Sequence, residues 1–171
     1  MNNTKLQTPN SNPKLITFAP MKILMVCLGN ICRSPLAEGI LQKMADDAGL
    51  NWKVDSAGTN GYHNGEAPHR LSQKVAKLHG IDISQQRSRR FMKSDFDEFD
   101  RIYIMAEEVL DDLKRLTGQH FRAEKIEFLM NEVYPGKNLD VPDPWYGGEE
   151  GYHEVFEMMR LACEAVVKSQ K

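Results

Sequence analysis

A cysteine and an arginine six residues apart, Cys27 and Arg33, enclose most of the run Val26-Cys27-Leu28-Gly29-Asn30-Ile31-Cys32-Arg33-Ser34-Pro35. The pair joins a thiol, nucleophilic as its thiolate, to a planar guanidinium whose fork matches two oxygens of an oxyanion. An apolar stretch, Ile23-Leu24-Met25-Val26, ends just before the thiol, and Ser34-Pro35 opens an amphipathic helix just after it. A loop so placed turns backbone N–H groups and the positive end of a helix dipole toward one point. The chemistry this suits is nucleophilic attack on a bound oxyanion. Arg follows Cys at this spacing by chance about once in twenty cysteines, so the pair alone decides little. Gly29, which permits close backbone approach, and Asn30, which tolerates the left-handed conformation, sharpen it. Far along the chain Asp143 stands between Pro142 and Pro144, ahead of Trp145-Tyr146, a stiff and partly apolar setting that reads either as an ordinary turn or as a place for a carboxyl that gives and takes a proton.

The elements that must hold these residues are legible from apolar periodicity. Residues 22–26 read as a buried strand, and 35–48 as a helix with Leu36, Ile40, Leu41 and Met44 on one face, Pro35 at its first position and Gly49 past its end. A second strand over 52–56 leads into a Gly- and Asn-rich loop, 57–67. Residues 68–79 repeat the helical spacing with Leu71, Val75 and Leu78, stopped by Gly80. A strand over 101–105, a helix over 107–116 closed by Gly118, a strand over 125–129 and a final helix over 149–168 complete the pattern. The last helix carries the stripe Tyr152, Val155, Met159, Cys163 and Val166. Strands alternating with helices predict an α/β domain whose parallel sheet is covered on both faces. Ligands of such sheets bind beyond the carboxyl ends of the strands, where strand order switches. The Cys27 loop and the loop over 131–148 both reach that crevice.

Composition narrows the class. A chain of 171 residues is one domain's length, and 22 Lys and Arg against 24 Asp and Glu leave a net charge of −2, with no sign of a nucleic-acid or membrane-surface partner. No apolar run approaches the roughly 18 residues of a membrane span. Residues 1–20, rich in Asn, Thr, Pro and Gln, read as a disordered leader or as a start upstream of Met21, with the domain over 21–171. Cys27, Cys32 and Cys163 are an odd, sparse set that reads as reduced thiols, and so as a cytoplasmic protein. His63, His69, His120 and His153 have no metal-ligand spacing, and no cofactor is called for. The basic cluster Arg87, Arg89, Arg90 and Lys93 offers attraction for acidic substrates, with solvated surface as the plainer reading.

The Cys27 loop resembles the signature loop of the low-molecular-weight protein tyrosine phosphatases. Val54-Asp55-Ser56-Ala57-Gly58, His79-Gly80-Ile81 and Pro142-Asp143-Pro144-Trp145-Tyr146-Gly147 extend the resemblance over nearly the whole chain from Met21. It implies a three-layer sandwich around a four-stranded parallel sheet of order 2-1-3-4, no metal, and hydrolysis of aryl phosphate monoesters through a phosphocysteine. Cys27 is then the nucleophile, Arg33 the phosphate clamp and Asp143 the acid and base. The loop residues Leu28 to Ser34 bind phosphate, and Ser34 donates to the departing sulfur, with a helix N-cap as its plainer role. Asn30, Ser34, Ser56 and His79 match loop-supporting positions, although His79 read alone is a histidine at a helix C-terminus. Leu28, Ile31, Tyr62, Trp145 and Tyr146 match the substrate slot, with His63 at its rim. Phosphotyrosine proteins or small aryl phosphates are the implied partners, and phosphate, sulfate or vanadate the implied inhibitors. Cys32, in the same loop, suits a reversible disulfide with Cys27 or plain packing.

Some positions depart from the family pattern. Where the family often has Met-Asp after the third strand, this chain has Met105-Ala106, with Glu107 as a partial substitute, and Trp145 stands where Tyr is commoner. Three alternatives compete. An arginine phosphatase of the same fold has Thr at the position of Ile31. An arsenate reductase needs two more cysteines after the second helix, and residues 81–94 contain none. A non-catalytic phosphate-binding module is expected to lack Cys27, Arg33 or Asp143, and all three are present.

Overall fold

In the computed structural model, residues 19–170 are described; the leader expected over residues 1–20 lies, but for its last two residues, outside them. Four strands, β1 (Met21–Cys27), β2 (Trp52–Gly58), β3 (Arg101–Ile104) and β4 (Ile126–Phe128), form one parallel sheet in the order β2-β1-β3-β4. Among the described residues the α-helices are α1 (Arg33–Asp47), α2 (Arg70–Leu78), the short α3 (Asp95–Glu98), α4 (Glu107–Thr117) and α5 (Glu149–Lys168). The expected architecture is the observed one, and no helix among the described residues is long and apolar enough to cross a membrane.

Strand β1 is the sheet's buried centre. Alternate side chains leave opposite faces of a strand, so Ile23, Met25 and Cys27 join Leu36, Ile40 and Leu41 of α1 and Val155, Met159 and Cys163 of α5 in one core. Leu24 and Val26 join Phe96, Phe99, Val109 and Leu113 in the other. Helices α1 and α2 end alike. Gly49 and Gly80 take positive φ, and the amides of Leu50 and Ile81 return to Ala45 and Ala76, with those of Gly49 and Gly80 on Asp46 and Lys77. Both are Schellman ends, which need a residue free to enter the left-handed region.

One stripe residue departs from expectation. Leu78 is 65% exposed, because α2 turns Ser72, Val75 and Ala76 inward instead. Met44 and Leu71 are half-buried and pack against the core as expected. Helix α1 begins two residues early, at Arg33, so Pro35 sits third in it. The short α3 had no periodicity long enough to reveal it.

Candidate active site

Cys27 ends β1, and Arg33 opens α1; the five residues between them wrap one point beyond the sheet's carboxyl edge. Asn30 holds φ 56°, as expected of a residue type that tolerates the left-handed region. Gly58, paired in register with Cys27, sits so close that a Cβ would lie 2.5 Å from the Leu28 carbonyl oxygen. Only glycine lets β2 support the loop from this side. The amides of Thr59 and Asn60 donate to the Cys27 and Leu28 carbonyls, both at 3.0 Å, and the His69 amide donates to that of Ile31 at 2.8 Å.

Beneath the loop lies a buried polar chain. Asn30 Nδ2 donates to Ser34 Oγ at 2.8 Å and to Ser56 Oγ at 2.9 Å, while its Oδ1 accepts from the Arg89 amide at 3.0 Å. Both amide protons are thus committed, and each serine keeps its own proton for another acceptor. Ser34 Oγ lies 2.9 Å from the Cys27 sulfur, a contact in which either group can donate and a thiolate only accepts, and Ser56 donates to Glu38 Oε2 at 2.5 Å. Ser34 is therefore not the N-cap. That position is Cys32, with no capping side chain, and Ser34 lies within the first turn facing the thiol.

His79 stands apart from this network. Its ring stacks on Phe156 with centroids 4.0 Å apart, and it is the exposed C-cap of α2. The loop-support role expected of it is corrected. Its ring is taken up by Phe156, and the Arg89 amide and the Glu38 carboxylate complete the network instead. Neither was foreseen.

Burial pushes the Glu38 carboxyl up to about 7, and the nearby Asp55 charge adds to this, against the lowering effects of Ser56 and Arg89. A carboxyl raised above its unfolded value binds more protons in the folded state, so stability falls as pH rises from about 4.5 to about 7. The loss expected from this group approaches about 3 kcal/mol. Urea unfolding at pH 5 and pH 8 should show it in the wild type, with Glu38→Gln flattening the difference. An undiminished difference in the variant would assign it to other groups.

Arg33 is 2% exposed. Its Nη1 donates to the Val141 carbonyl at 3.0 Å, and Nη2 lies 3.5 Å from Asp143 Oδ2. Val141 is in turn fixed by its amide on the Met105 carbonyl at 2.7 Å. Asp143 precedes a turn of 3-10 helix, Pro144–Tyr146, and its Oδ1 accepts from the Trp145 amide at 3.1 Å. Asp143 is half-buried, so its carboxylate reaches both Arg33 and solvent.

The missing aspartate after β3 is answered by Asp140. Ala106 caps α4 without a side-chain bond, and Asp140 Oδ1 accepts from the Glu107 amide at 2.9 Å. The side chain of Glu107 is exposed and does not substitute for the missing carboxylate.

A cavity of about 310 Å³ opens above the loop. Leu28, Gly29, Ile31, Tyr62, His63, Asp143, Trp145 and Tyr146 line it with Cys27, Asn30, Cys32 and Arg33, so every expected slot residue is present. Asn60 joins them unforeseen. Tyr62 and Tyr146 are almost wholly exposed, and Trp145 is half-exposed. The Trp145 ring meets His63 with centroids 5.9 Å apart and His69, edge-on, at 5.4 Å. His69 also stacks on Tyr152, whose hydroxyl lies 3.5 Å from Cys32 Sγ. Burial, outweighing the Tyr152 contact, pushes the Cys32 thiol up to about 12. Cys163 lies fully buried in the α5 core, as expected.

Comparison with known proteins places this geometry. The family model for low molecular weight phosphotyrosine protein phosphatase matches residues 22–171. The human protein of that name is 40% identical over 153 residues, covering 88% of this chain and 96% of its own. A protein tyrosine phosphatase from Entamoeba histolytica, solved with Hepes in its active site, superposes with TM-score 0.79 at 38% identity, covering 88% of this chain and 96% of that one. YwlE, an arginine phosphatase solved with a phosphorylated active-site serine, has TM-score 0.79 at 25% identity, covering 87% and 95%. The chain belongs to the low molecular weight phosphotyrosine protein phosphatase family.

Proposed function

We propose that residues 21–171 form a cytoplasmic phosphatase domain that hydrolyses phosphotyrosine in proteins, or small aryl phosphates, by two in-line displacements at Cys27. The observation that carries this is the Cys27 sulfur with the Ser34 hydroxyl at 2.9 Å, in one cavity with the Arg33 guanidinium and the Asp143 carboxyl. In the first step the Cys27 thiolate forms a bond to phosphorus as the bond to the aryl oxygen breaks. Asp143 gives that oxygen its proton. Arg33 and the loop amides hold the three equatorial oxygens, whose charge is what a loose phosphoryl transition state must accommodate. In the second step Asp143 takes a proton from water, which attacks phosphorus, and the sulfur leaves as a thiolate accepting from Ser34. Inorganic phosphate remains, and phosphate, sulfate and vanadate would inhibit by occupying the same cradle.

Buried Ile31, half-buried Leu28 and the Trp145 ring, all lining the cavity, favour a flat aryl group by desolvation and ring contact. Asp143→Asn separates the acid from the clamp. It should lower kcat about a hundredfold or more on phosphotyrosine, a poor leaving group, and far less on p-nitrophenyl phosphate. Equal losses on both would remove Asp143 as the proton donor. Run beside phosphoarginine and phosphoserine peptides, the same assay fixes the substrate. Faster hydrolysis of phosphoarginine would favour the activity named for YwlE.

A further inference from the structure

The rim of the cavity does not end at Tyr62. This residue and Asn60 also border a second groove, of about 480 Å³, whose other walls come from Thr59, Arg90 of the basic cluster and the end of α4. Two guanidiniums, those of Arg90 and Arg115, face it. Arg115 pairs with Asp112 Oδ1, and the other oxygen of Asp112 accepts from the Thr59 hydroxyl at 2.7 Å, so the groove's carboxylate is satisfied on both sides. Arg90 spends only its Nε, on the Thr59 carbonyl at 3.3 Å. Among the described residues its two terminal nitrogens meet no acceptor, whereas the neighbouring Arg89 is consumed by Asp55 and Asp95.

A guanidinium held by one nitrogen and open at the other two is a fork for a carboxylate. Resting on the phosphotyrosine reading above, we infer that this groove is a subsite for an acidic side chain flanking the phosphotyrosine of a peptide substrate, with Arg90 as its principal contact and Arg115 adding charge. With the phosphoryl group at the loop and the ring in the slot, the peptide backbone must leave across the exposed rim. Tyr62 and Asn60 are the part of that rim shared with the basic groove. The chain's net charge of −2 gives no general attraction for acidic peptides, so a preference must come from this local pair.

The test uses two phosphotyrosine peptides, identical but for a flanking Glu or Gln, with p-nitrophenyl phosphate as control. The wild type should show kcat/KM about three- to fivefold higher on the Glu peptide at low ionic strength, shrinking in 0.3 M salt as exposed charge pairs are screened. Arg90→Gln should bring the two peptides within about twofold of each other and leave p-nitrophenyl phosphate unchanged; Arg115→Gln should produce a smaller shift in the same direction. Both peptides hydrolysed at one rate by the wild type, or a preference that survives Arg90→Gln, would overturn the subsite alone. So would an equal loss on p-nitrophenyl phosphate. Hydrolysis of p-nitrophenyl phosphate with neither peptide touched would overturn the peptide-substrate reading and the subsite with it.

Discussion

Cys27→Ser should lower turnover of p-nitrophenyl phosphate by about five powers of ten or more, with the fold and phosphate affinity retained. The substitution removes one kind of atom from the end of β1 and leaves the Ser34 hydroxyl and the Arg33 guanidinium in place. A cradle of amides and a guanidinium stabilises a thiolate readily, but a serine hydroxyl ionises far too reluctantly to be made nucleophilic by the same field. Neither other thiol can stand in. Cys32 is held protonated by burial beside Tyr152, and Cys163 has no route to solvent from the α5 core. Activity and phosphate titration on the same preparation test this. Turnover above about a hundredth of wild type would mean that phosphorus is attacked by some other group.

Arg33→Lys should cost about a thousandfold in kcat and also destabilise the fold, two effects with separate causes. Arginine clamps on phosphoryl oxygens are worth roughly 10³ to 10⁵ in rate, and a lysine offers one point charge where the planar fork spans two oxygens. The stability effect comes from the other end of the same group. Val141 is buried, its carbonyl accepts from Arg33 Nη1, and a lysine too short to reach it leaves that acceptor unpaired, at about 1–3 kcal/mol. Steady-state kinetics with urea unfolding resolves the two. Wild-type kcat with lowered stability would confine Arg33 to holding the Val141 segment.

What the sequence made legible was what local spacing encodes. A strand ending at Cys27, a helix starting within two residues of Pro35, the left-handed Asn30 and the alternation of elements all follow from periods of two or 3.6 and from backbone preferences. Asp143 was visible because two prolines and an aromatic pair mark it. What escaped were partners brought together by the fold. Glu38 and Ser56 are 18 residues apart and meet only because α1 packs beside β2, and the Arg89 amide reaches Asn30 across 59 positions. His79 was misassigned because a His-Gly helix end reads the same whichever way the ring turns. Leu78 likewise fits a helical stripe, but a nine-residue helix can roll to bury Ser72 and Ala76 instead.

The direction of the proton chain under the loop bears on how the site responds during reaction. Asn30 points both amide protons outward to its serines, so toward a Cys27 thiolate or phosphocysteine, which has no proton to give, the Ser34 hydroxyl is the donor. When charge gathers on the sulfur or leaves it, no rotor has to flip and no dipole has to search for its place. The reorganisation that bulk water would undergo at that moment was completed when the chain folded.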